Sequence, residues 1–467
     1  MSTQNREVGR IYSESEIAKQ AELDKIMLEE KWNALDKALE DLAEPELRAD
    51  IISALKELYD IYIKEAIDWY AGLYDPSVGG YYYSNSARDN ARVMYDGKYY
   101  ELLPDLESTC QAMGVISSSH MADKFDGDIA SALPEWMKEQ IVTFVKKMQD
   151  EKNGYFYHPQ WGRELTDTKI GRRGRDLTWA IRTLDRYGEK PLYKSPLEDR
   201  SEDKKARNAE TSPHLRNKKS FEDYLNSLGF DSKNAYSAYL IGNALESQVT
   251  EIVARDKELE KEGADYRLLS VMKEWFDSRF NKKNGSWTTA PLCYDVCNGI
   301  LKISSTYVRA GLSLPDPIKS IKAVIKCMAL DQKPIHVCDI LNTWYALNTI
   351  VSSVKESGKD IKILNEMRRE IIEHYPEMVR KTTENLKIFL KPDGSFSYFP
   401  DRSADRSQDM PVALPHTNEG DMNATMICNV AIPSHIFGYL GLTSVPIYTE
   451  SDRMRYINVL EKNKAKL

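Results

Sequence analysis

The chain has 467 residues, 42% hydrophobic and 29% charged, with 64 Lys and Arg against 72 Asp and Glu and a net charge of −8. This describes a globular protein with a sizeable core, and the acidic balance disfavours sequence-independent nucleic-acid binding, which needs clustered basic surface. No apolar run approaches the roughly 18 residues of a membrane helix, and residues 1–19 lack the apolar stretch of a secretory signal, so a cytoplasmic location is expected.

Residues 15–44 form the first predicted helix, with Ile26, Leu28, Trp32, Leu35 and Leu39 at three- and four-residue intervals. Pro45 breaks it. A second amphipathic helix over 48–73 carries Ile51, Ile52, Leu55, Leu58 and Ile61. It leads into Gly80-Tyr81-Tyr82-Tyr83, the first of four glycine–aromatic turns. The others are Asn153-Gly154-Tyr155-Phe156, Asn284-Gly285-Ser286-Trp287 and Asp393-Gly394-Ser395-Phe396. Between and after them, helical periodicity recurs over 105–117, 134–148, 176–187, 221–228, 235–255, 266–280, 295–310, 317–330, 339–354, 361–390 and 423–441. Residues 188–220 differ: they are dense in charge, Pro and Asn, with almost no apolar periodicity, and read as an exposed insertion into one domain. Val/Ile alternation typical of strands is nearly absent.

Each turn follows a helical segment, and an aspartate four residues before a threonine recurs as Asp105/Thr109, Asp339/Thr343 and Asp421/Thr425. Helix pairs joined by short turns and repeated about six times must bury their apolar faces against neighbours. The last segment, 422–442, is as apolar as the inner ones, which favours closing the ring over leaving an open solenoid. The predicted fold is all-α: an (α/α)6-type toroid of inner and outer helices over 51–445, after a helical extension over 1–50 and before a C-terminal tail over 446–467.

From about 51 to 442 this pattern resembles the α/α toroid of the terpenoid cyclase and protein prenyltransferase repeat superfamily. There an outer helix ends in a glycine–aromatic turn, and an inner helix often opens on Asp with Thr one turn later. The resemblance implies fold more than activity, because glycosidases, polysaccharide lyases and sugar epimerases share that fold. The Asp-x-Asp-Asp of protonating cyclases and an Asp-Asp-x-x-Asp for diphosphate are both missing, as are a P-loop, a dinucleotide fingerprint, a Gly-x-Ser-x-Gly elbow and an HExxH.

Asp105, Asp176, Asp295, Asp339 and Asp421 fall at or near inner-helix starts and would collect at one rim. Singly, each suits a helix cap. Together, crowded carboxylates raise one another's pKa and permit acid/base chemistry on a glycosidic bond. Two turn segments add polar and aromatic groups beyond what a turn needs: 155–162 with Arg172, Arg173 and Arg175 after it, and 395–423. The expected enzyme is a glycoside hydrolase or a polysaccharide or oligosaccharide lyase acting on a small, possibly uronate-bearing oligosaccharide, with no cofactor. Asp176, Asp339 and Asp421 are its candidate carboxylates, and His158, His416 and Tyr398 its candidate proton-transfer groups. Trp161, Arg175 and Asn423 would position substrate.

A rival expectation is zinc. In protein prenyltransferase β subunits an Asp-x-Cys at one inner-helix start and a His at a later one hold the metal, and Asp295, Cys297 and His336 match those types in that order. The strict Gly-Gly-Phe-x-Gly repeats of those subunits are missing, and the His lies closer to the Asp-x-Cys than is usual there. A non-catalytic toroid binding a glycan or a protein is a third expectation. The six cysteines are scattered without a CxxC pair and read as free thiols.

Overall fold

Short polar caps start several of the helices. Ser13 opens α1 (Glu14–Ala38): its hydroxyl accepts from the Glu16 amide, and Glu16 accepts from the Ser13 amide, so two otherwise orphaned donors are satisfied. Pro45, read as a helix breaker, is the first residue of α2 (Pro45–Tyr59), a position where the missing N–H costs nothing. There follow α3 (Glu65–Gly72), α4 (Leu106–Ser118), α5 (Glu135–Lys147), α6 (Ile170–Arg186), α7 (Lys218–Ser227), α8 (Ser237–Lys261) and α9 (Leu268–Asp277). The second half contributes α10 (Tyr294–Arg309), α11 (Pro317–Met328), α12 (Val337–Glu356) and α13 (Ile361–Lys387). In this computed structural model, residues 10–196, 212–358 and 361–467 are described. Residues 197–211 of the expected insertion lie outside them.

The last apolar segment is composite. It runs as α14 (Met422–Met426), a π turn (Ile427–Ala431) and α15 (Ile432–Gly438). Pro433 offers no N–H to the carbonyl four residues earlier, and the helical ladder widens just before it. The expected tail is instead a helix, α16 (Glu450–Lys464), which packs on α1 and α3. Strand structure among the described residues is confined to three two-stranded hairpins.

The class is all-α. Packing forms an ordered series in which α8 lies against α10, α10 against α12, α12 against the π turn and α15, α14 against α4, and α4 against α6. A second set backs it: α9 on α8, α11 on α10 and α12, α13 on α12 and α11, α2 on α13, and α5 on α6. No helix among the described residues is long and apolar enough to cross a membrane.

The glycine–aromatic turns join the two sets. Gly285 has φ +75°, and a Cβ there would lie 2.2 Å from the Lys319 carbonyl oxygen, so the turn presses onto the first turn of α11. The aromatic residue just beyond each glycine is core: Tyr81, Phe156, Trp287 and Phe396 are at most 1% exposed. These rings serve packing between helix ends and do not line a wet cleft.

Candidate functional site

The Asp-x-x-x-Thr pairs have a structural role at two of three places. Thr109 Oγ1 donates to the Asp105 carbonyl at 2.7 Å and accepts from the Tyr81 amide at 3.0 Å. Thr425 Oγ1 likewise donates to the Asp421 carbonyl at 2.7 Å and accepts from the Phe396 amide at 2.9 Å. Each threonine thereby fastens the aromatic turn to the start of the next helix. Thr343 only bonds back to the Ile340 carbonyl, at 2.8 Å.

Asp421 is fully buried and caps α14. Its carboxylate accepts from the amides of Ala424 (2.8 Å), Tyr398 (2.8 Å) and Ala404 (3.3 Å). Burial pushes its carboxyl up to about 7 against these donors, which pull the other way. With its oxygens committed to backbone, Asp421 organises the start of α14 and is not the open carboxylate expected.

Arg172 forms a second, wholly buried centre. Its guanidinium meets Asp176 at 2.9 Å, Glu107 at 3.0 Å and Asp105 at 3.6 Å. It also lies over the rings of Trp161 (4.6 Å) and Trp179 (5.1 Å). Burial pushes Asp176 up to about 7, offset in part by Arg172, and pushes Glu107 upward too. Asp176 is fully buried in this nest and is not the accessible carboxylate expected. Trp161 is not an open platform for a sugar ring either, since His158 covers it at 4.4 Å and Arg172 at 4.6 Å. His158 has both ring nitrogens occupied. Nε2 donates to the Pro104 carbonyl at 2.6 Å and Nδ1 accepts from the Gln160 amide at 3.3 Å, and burial holds it down to about 4, hence neutral.

The part-exposed chemistry gathers at the start of α12. His336 Nδ1 lies 3.4 Å from Asp339 Oδ1, and Asp339 Oδ2 accepts from the Ile335 amide at 2.8 Å. The Tyr398 ring sits 5.6 Å from the His336 ring, and its hydroxyl lies beside Cys338. Burial lifts the Tyr398 hydroxyl well above its ordinary value and the Cys338 thiol to about 11. Arg175 is exposed, forms no ion pair among the described residues, and stands within electrostatic reach of Glu107, Tyr239 and Cys338. Asn423 Oδ1 accepts from Gln111 Nε2 at 2.9 Å, and that amide also reaches Glu107 at 3.2 Å.

His416 lies elsewhere: it is exposed in its loop at φ +59° and bonds to none of these groups. The zinc set does not assemble. Asp295 is exposed, Cys297 is buried against Cys327, and His336 turns to Asp339 and Tyr398. Among the described residues no group of three or more His, Cys, Asp or Glu could hold a metal ion.

Glu107 and Gln111 escaped the sequence reading. Their signal was present: a carboxylate and an amide one turn apart on a helix otherwise made of apolar and small hydroxyl residues. No family model, no curated protein and no solved structure matches this chain.

Proposed function

We propose a carbohydrate-active enzyme on an α/α toroid, cleaving a uronate-bearing oligosaccharide by β-elimination. His336 takes the proton from the uronate α-carbon, the bond from the β-carbon to the glycosidic oxygen breaks as the double bond forms, and Tyr398 donates its proton to that leaving oxygen. Asp339 orients His336, and Arg175 and Asn423 engage the uronate carboxylate. The observation that carries this reading is a part-exposed Tyr398–His336 pair backed by buried Asp339, within electrostatic reach of an exposed arginine that forms no ion pair among the described residues. Such an arginine suits a planar carboxylate, which it binds through two parallel N–H donors. A cytoplasmic location fits a substrate already cut to short length.

Glycoside hydrolysis is the second reading. Glu107 favours it, because its carboxyl is raised and linked through Gln111 to Asn423. One assay separates the two: purified protein incubated with neutral and acidic oligosaccharides, read for ultraviolet absorbance of unsaturated uronate and for new reducing ends. Both signals together support elimination, whereas reducing ends without unsaturation support hydrolysis. A panel that stays intact overturns the enzymatic reading.

A further inference from the structure

Helix α12 is covered by neighbours on most sides: α10 and the π turn with α15 flank it, while α11 and α13 back it. One stripe stays part-exposed along its length, Cys338, Leu341, Asn342, Tyr345 and Asn348, at the spacing of a single helix face. The composite segment beside it carries its own part-exposed residues at Asn423, Met426, Val430 and His435. The two stripes meet. Asn348 Nδ2 donates to His435 Nδ1 at 2.9 Å, and the Tyr345 and His435 rings stack at 4.5 Å with planes 15° apart. The two part-exposed stripes therefore join at Tyr345, Asn348 and His435.

At this junction, an amide donor on Nδ1 fixes the His435 tautomer and leaves its proton on Nε2. Nε2 has no hydrogen-bond partner among the described residues, and burial holds His435 down to about 4, hence neutral. Tyr345 is 39% exposed in the middle of a helix whose other faces are packed, and His435 covers only one face of its ring. An exposed aromatic face beside a directed donor suits a polar ring with an apolar face.

We propose that Tyr345, His435 and Asn348 form a subsite that holds the terminal pyranose ring of the substrate. The ring stacks on the open face of Tyr345, and one of its hydroxyls accepts from His435 Nε2. Tyr345 lies two helical turns below Cys338, about 10 Å along the axis. Resting on the rim as the reaction centre, this makes cleavage occur at a fixed distance from the chain end, with one short product released.

The test uses the full chain and a panel of neutral methyl pyranosides, which lack both a uronate and a cleavable inter-sugar bond, read by saturation-transfer NMR and titration. At least one is expected to bind, and Tyr345→Ala and His435→Gln each to weaken it roughly fivefold or more, the scale of one lost aromatic or polar contact. Near-ultraviolet circular dichroism confirms that both variants fold, and Tyr398→Phe at the rim should retain binding. If no pyranoside binds, or binding is the same in both subsite variants, the subsite is overturned. Because this binding does not depend on turnover, loss of the rim reading and loss of the subsite are seen separately.

Discussion

Arg172 is one guanidinium facing three carboxylates, all buried, and each of these groups would be costly to bury alone. The nest responds by holding protons. Asp176 keeps its proton up to about 7 in the folded chain, against an ordinary value of 3.8. Between those values the folded state binds more protons than the unfolded one. Its contribution to stability is thus full in acid and is lost as pH rises toward 7. His158 works in the opposite sense: held near 4 against an ordinary 6.5, it loses its contribution as pH falls between them. A single variant isolates one term. Asp176→Asn should gain on the wild type as pH rises from about 4.5 to about 6.5, by no more than about 1.4 kcal/mol per unit, in paired urea titrations. Parallel curves would show that Asp176 carries no extra proton. None of this nest was legible as a nest in the sequence. Arg172 to Asp176 is an ordinary helical pair by spacing, and its burial follows from Trp161 and Ser407, which come from distant segments.

At the scale of elements, the turn and the helix after it act as one unit because a threonine hydroxyl bonds both. Thr425→Val keeps shape and removes that hydroxyl, stranding the buried Phe396 amide, a loss of about 1–3 kcal/mol. Thr343→Val should cost distinctly less, since Thr343 holds no turn. Urea midpoints of the two variants compare them directly, and equal losses would refute the clamp. The repeat was readable because helix spacing, glycine turns and Asp-x-x-x-Thr are all local patterns. What the pattern hid was that Thr343 is the exception, and that the carboxylates of Asp105 and Asp421 are spent on caps. Local spacing records where a residue enters a helix. It does not record which distant loop arrives to occupy it: Asp421 is closed off by Tyr398 and Ala404, from the far side of the 397–420 loop.

Across the whole molecule, a net charge of −8 opposes the approach of an acidic glycan. At physiological salt that field fades over about 8 Å, so under the proposed function capture of an acidic glycan depends on charge placed close to the Tyr398–His336 pair. The neighbouring cations are already committed: Arg172 to three carboxylates and Arg173 to Asp167 at 2.9 Å. Arg175, one helical turn along, is left free of any ion pair among the described residues. Removing it should therefore affect acidic substrates alone. Arg175→Ala is expected to lower kcat/KM on a uronate oligosaccharide by about ten- to a hundredfold, the scale of a charge-assisted hydrogen bond. Arg175→Lys should recover part of the loss, because it restores the charge without the two-pronged geometry. Neutral pyranoside binding at Tyr345 should stay at the wild-type level. Rising salt should slow the wild type on the acidic substrate more steeply than Arg175→Ala. An equal loss on neutral and acidic ligands would mean that Arg175 supports the fold of the rim and reads no carboxylate.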